Sequence, residues 1–80
     1  MNEKNYKKTV YKLIKNIAVM KKYKADNNLI PDLRIEVSAK VFYELAHEGT
    51  IIRTVDGTDL FHGIPVRVMK DWPDDYMAVC

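Results

Sequence analysis

The stretch TIIRTVDGTDLFHGIPVRVM, residues 50–69, decides the fold of this chain. It is rich in β-branched residues and broken by glycines, the pattern of short strands joined by tight turns. Asp56-Gly57 sits between two β-prone runs. An Asp-Gly pair supplies the two positive-φ positions of a type I′ turn, so the spacing predicts a two-residue hairpin there. Beyond Gly63, the residues Ile64, Val66 and Val68 alternate with Pro65 and Arg67. That period of two puts the aliphatic set on one face of a strand. Pro65 cannot donate to a ladder, which predicts a sheet edge or a bulge, with Gly63 forming the bulge or bend.

Toward the N-terminus, LRIEV at 33–37 alternates as well. Leu33, Ile35 and Val37 point one way, Arg34 and Glu36 the other, as in a half-buried strand. Ser38 is placed to cap the short helix AKVFYELAHE, whose apolar stripe is Val41, Phe42, Leu45 and Ala46. Gly49 follows where a left-handed C-terminal residue belongs. Further back, Val10, Leu13, Ile14, Ile17 and Met20 recur at helical spacing, extended by Tyr6, and predict a helix over about 5–24. ADNNLIPD breaks it. Toward the C-terminus, KDWPDD reads as a turn and YMAVC as a last short strand.

The element order is therefore α-β-α-β-β-β. Two helices and few strands predict an α+β fold, a two-layer sandwich with a small, mostly antiparallel sheet. Residues 1–80 read as a single domain: a basic N-terminal helix at about 5–24 and an α+β body at about 32–80.

A chain of 80 residues buries only about 60% of its unfolded surface, so its stability margin is thin. Its one cysteine, Cys80, permits no internal disulfide, and no Cys/His cluster has zinc-ligand spacing. A reducing, cytoplasmic setting fits. The charged start MNEKNYKK and the lysine-broken segment after it match neither a signal peptide nor a membrane span.

Chemistry-bearing residues are sparse. Ser38, Cys80, His47 and His62 lie in no nucleophile-base motif, and Ser38 is accounted for as a cap. DGTD lacks the residue order of a calcium loop, and no glycine belongs to a phosphate loop. Adjacent Asp74 and Asp75 point to opposite sides of an extended backbone and read as a solvated acidic turn. The expectation is a protein that is not an enzyme and takes no cofactor and no metal.

Charge is unevenly spread. Residues 1–28 hold eight lysines against Glu3 and Asp26, whereas residues 29–80 are net acidic. Such asymmetry marks a basic face for a partner, or an internal match between halves. Two partner surfaces follow. The first gathers Phe61, Arg67, Trp72 and Tyr76 with the acidic Asp71, Asp74 and Asp75, because aromatic and arginine side chains anchor protein interfaces. The second is the lysine row Lys8, Lys12, Lys15 and Lys22, interleaved with tyrosines, which would hold nucleic-acid phosphates. Oligomeric state stays open; a dimer through an edge near Pro65 is one arrangement.

The segments IPDLRIEVS, AKVFYELAHEG, DLFHGIPVRVM and DWPDDYMAVC, taken in order, resemble part of the major capsid proteins of tailed bacteriophages. LFHGIPVRV carries most of the likeness, with His62 an extra residue between Phe61 and Gly63. The resemblance covers about residues 10–80 and implies the axial-domain segment near the capsomer centre. It implies a bend and a strand, not a site, at Gly63, Ile64, Pro65 and Val66. The spine helix, extended arm and peripheral domain have no counterpart here. The resemblance thus implies a small phage or prophage protein that binds a protein partner, as a host-system inhibitor such as an anti-defence protein or as a virion-assembly factor. The alternative is a nucleic-acid binder working through the first helix.

Overall fold

Ser38 is the junction around which the chain folds. The structure is a computed structural model and describes residues 6–80. Ser38 ends the strand β1 (Ile35–Ser38) and caps the helix α2 (Ala39–His47). Its Oγ accepts the Val41 N–H at 3.1 Å, as the sequence predicts for an N-cap.

The first helix, α1, spans Lys7–Asp26. It begins and ends about two residues later than its spacing predicts, and residue 5 lies outside the described residues. Val10, Leu13 and Ile17 form its buried row, with Met20 packed against the core. Ile14, expected in that row, is 39% exposed on its flank. The break comes where Asn27 Nδ2 donates to the Tyr23 carbonyl at 2.8 Å and Asn28 turns to φ 56°.

Five strands form one sheet: β1, then β2 (Ile51–Arg53), β3 (Asp59–Phe61), β4 (Ile64–Met69) and β5 (Met77–Val79), in the spatial order β2-β3-β4-β1-β5. The expected α+β sandwich is present, with one strand more than the order read from sequence. Only the β1–β4 pair is parallel; the other three are antiparallel. Both helices pack on one side of the sheet, where Leu13, Ile35, Val37, Leu45 and Phe61 are fully buried. Ala46, expected in the α2 stripe, is exposed.

The hairpin turns differ from expectation. Asp56-Gly57 is not a two-residue type I′ turn, because Asp56 does not take positive φ. The Gly57 N–H donates to the Thr54 carbonyl at 3.0 Å, and the Thr54 N–H donates to the Thr58 carbonyl at 2.8 Å. This is a longer loop that needs positive φ only at Gly57, the three-residue solution with a glycine bulge. The two-residue turn lies one hairpin later, at His62-Gly63, where φ is 50° and 80° and Phe61 pairs directly with Ile64. Gly63 is therefore a turn residue and not a strand bulge. Histidine is among the few non-glycine residues that tolerate this region.

Pro65 also departs from its expected place. It lies in β4, between β3 and β1, while the sheet edges are β2 and β5. Its partner on β3 is Leu60, the pair next to the turn-flanking Phe61–Ile64. In a two-residue hairpin the flanking pair exchanges hydrogen bonds and the next pair does not, so no β3 bond is lost there. The β1 register starts at Ile35–Val66, one residue further on. A proline is accommodated because its missing N–H falls in the gap between two ladders.

Candidate protein-docking surface

Strand alternation gives the sheet a second face, which no helix among the described residues covers. Ile35, Val37, Phe61 and Val79 fill the helix side. Their neighbours Glu36, Leu60 and Ala78 therefore point the other way, joined by Ile52 from β2 and by Pro65 and Arg67 from β4. A sheet face left to water ordinarily reads polar. This one mixes apolar Ile52, Leu60, Pro65 and Ala78 with two charges, and its strand residues include no lysine. Seven lysines lie in α1, while Lys40 opens α2 and Lys70 follows β4.

The face continues onto the 70–76 turn. The rings of Trp72 and Tyr76 contact in a tilted arrangement, centroids 4.5 Å apart and planes inclined by 33°, and Trp72 remains 47% exposed. The Tyr76 hydroxyl donates to Glu36 Oε1 at 3.3 Å. Glu36 in turn stands beside Arg67 in the β1–β4 register. Partial burial, and then the Glu36 carboxylate, raise the Tyr76 pKa above the ordinary phenol value, so the hydroxyl keeps its proton.

The turn is held firmly. Ser38 Oγ donates to the Asp74 carbonyl at 2.6 Å, the Ser38 N–H donates to the Tyr76 carbonyl at 3.0 Å, and the Tyr76 N–H closes onto Pro73 at 2.9 Å. Ser38, 2% exposed, thus fixes both a helix cap and the turn that presents Trp72. Asp71, Asp74 and Asp75 are exposed on that same turn. Toward the other end of β1 and β4 from that turn, Arg34, Glu36, Pro65, Arg67 and Cys80 border a groove of about 260 Å³. That is smaller than the roughly 300–1,000 Å³ of small-molecule sites.

The structure thus brings together Trp72, Tyr76, Arg67 and the three aspartates. It removes Phe61, which is 0% exposed: as the cross-strand partner of Ile64 it shares the core face and cannot touch a partner. Sequence reasoning missed Glu36 and Arg34 as site residues, although their outward positions in LRIEV were the available signal. The lysines lie elsewhere. Lys8, Lys12, Lys15 and Lys22 are exposed on α1, across the molecule from the open sheet face, and Lys22 pairs with Asp26 at 3.1 Å.

The histidines are apart. His47 ends α2 against Tyr6, with centroids 5.2 Å apart, and His62 stacks on Phe61 at 4.4 Å. Among the described residues, no three His, Cys, Asp or Glu side chains are placed to share an ion. No helix there is long and apolar enough to cross a membrane. The chain matches no family model, no curated protein and no solved structure.

Proposed function

We propose that this chain is a non-catalytic binding domain that docks a protein partner on the open face of its sheet. The observation that carries this reading is the linked set Trp72–Tyr76–Glu36–Arg67, an aromatic pair and an arginine on one face of the sheet and its adjoining turn. Interfaces are enriched in tryptophan, tyrosine and arginine and depleted in lysine. Ser38 holds the presenting turn in place, so little ordering is left to oppose association. The exposed aspartates beside Trp72 favour a partner with a basic rim. The likeness of LFHGIPVRV to capsid subunits supports a phage-type protein acting in the bacterial cytoplasm, as an inhibitor of a host system or in virion assembly.

The test is quantitative capture from nuclease-treated host lysate, comparing the natural chain with Trp72→Ala and Arg67→Glu. One protein retained by the natural chain and lost by both folded variants supports the reading. Equal retention by all three overturns it.

A further inference from the structure

We infer that the outer face of α1 is a second docking surface, fitted to single-stranded nucleic acid. It lies on the opposite side of the molecule from the sheet face and does not depend on the protein-partner reading.

The geometry is that of one helix. Lys8, Lys15 and Lys22 follow at intervals of seven, which drift only about 20° per step around the axis. They lie opposite the buried row of Val10, Leu13 and Ile17, with Lys12 on the same stripe between the first two. At 1.5 Å per residue the stripe runs about 21 Å from Lys8 to Lys22. Tyr11, 65% exposed, is three residues after Lys8 and four before Lys15, so its ring lies between them. Tyr23, 54% exposed, is also on the outer surface of α1, but about 100° round the axis from Lys22 and so off this stripe.

The charge is not balanced within the fold. Asp26 is the one acid in α1, and Lys22 holds it. Glu44 of α2, facing α1, accepts the Thr9 hydroxyl at 2.6 Å. Lys8, Lys12 and Lys15 make no ion pair among the described residues. A merely solvated helix face gains by alternating signs at i,i+4, whereas Lys8 and Lys12 repel at that spacing. Lys8 also lies in the first turn, which holds no acid, although the positive end of the helix dipole disfavours cations there. The sequence thus keeps an arrangement that costs the isolated domain stability and that a polyanion relieves.

The exposed ring of Tyr11 chooses among polyanions. Exposed rings between phosphate-holding lysines are the stacking platforms used for unpaired bases, without sequence preference. A duplex keeps its base faces stacked inside and offers the rings nothing.

The experiment is fluorescence anisotropy of the whole chain with labelled single-stranded DNA of about 12 nucleotides, within the usual site sizes. Four lysine contacts predict a log–log salt slope of about −3, hence a loss of about fiftyfold between roughly 50 and 200 mM salt. Lys12→Gln with Lys15→Gln should reduce the slope by about 1.4. Tyr11→Ala should weaken binding about fivefold or more and Tyr11→Phe should not, because the phenyl ring still stacks. All these positions are exposed, so unchanged thermal unfolding separates lost contact from lost fold. Trp72→Ala should leave the affinity intact, which keeps this result independent of the protein-docking surface. The inference is overturned by absence of binding at low salt, by equal affinity for duplex with Tyr11→Ala silent, or by equal retention of polyglutamate or of anionic vesicles.

Discussion

The two faces of the sheet are made by the same strands, yet they solve different problems. On the helix side Ile35, Val37 and Phe61 are sealed completely. On the open side Ile52 is 67% exposed, while Pro65 and Arg67 meet solvent directly. Alternation alone accounts for the first face, because a two-layer domain needs one apolar side per sheet. It does not account for the second, where apolar Ile52, Leu60, Pro65 and Ala78 and a contacting Trp72–Tyr76 ring pair stand among only a few charges. One face holds the fold together. The other, by its exposure, does not.

The largest effect should come from setting the two faces against each other by mutation. Phe61→Ala removes a fully buried ring and should cost about 3–5 kcal/mol. That is a large share of the roughly 5–15 kcal/mol that holds most domains folded. Arg67→Ala, on the neighbouring strand but the other face, should change stability by no more than about 0.5 kcal/mol. Urea unfolding of both variants measures the contrast. A loss of several kcal/mol for Arg67→Ala would mean that the open face is part of the core after all.

Ser38→Ala sharpens the comparison, since Ser38 serves both faces. The substitution leaves the Val41 N–H without its cap and the Asp74 carbonyl without its donor. A buried group left unsatisfied costs about 1–3 kcal/mol, so the expected loss is of that order. It should also loosen the 70–76 turn, read as faster amide exchange at Tyr76 and as changed tryptophan fluorescence. Loss of stability with the turn unmoved would separate the cap from the docking surface.

How much of this was legible in the sequence depends on the range of the interaction. LRIEV displayed both faces of β1, and Ser38 displayed the cap, because alternation and capping act between near neighbours. The 50–69 stretch was legible as strands but not as turns. Asp-Gly fits either a two-residue turn or a longer loop ending in glycine. The choice is made by which register carries Phe61 into the core, since a slip of one residue would turn it outward. His62-Gly63 took the tight turn for the same reason: it places Phe61 and Ile64 opposite each other on one face. The interior place of Pro65 depends on where the β1 ladder begins, which a local reading cannot supply. The link from Tyr76 through Glu36 to Arg67 joins residues far apart in the chain, and only the pairing of β1 with β5 on one side and β4 on the other brings them together.

The smallest effect should fall beyond both faces, in the loop that joins β2 to β3. The Asp56 carboxylate accepts the Thr54 hydroxyl and, at 3.1 Å, the Thr58 N–H. These bonds, that from Thr54 foremost, hold its pKa below the ordinary carboxylate value. A group with a depressed folded pKa contributes stability that is present above its unfolded value of about 4 and is lost as pH falls through the lower folded value. The loop should therefore stay ordered at neutral pH and loosen only in acid, below about pH 4. The Thr58 amide chemical shift, followed by NMR during acid titration, reports this directly. Asp56→Asn retains an acceptor oxygen and should flatten the dependence without unfolding the domain. A titration in which core amides such as Val37 move together with Thr58 would show that the loop is coupled to the sealed face, and the separation between a structural core and its surroundings would have to be redrawn.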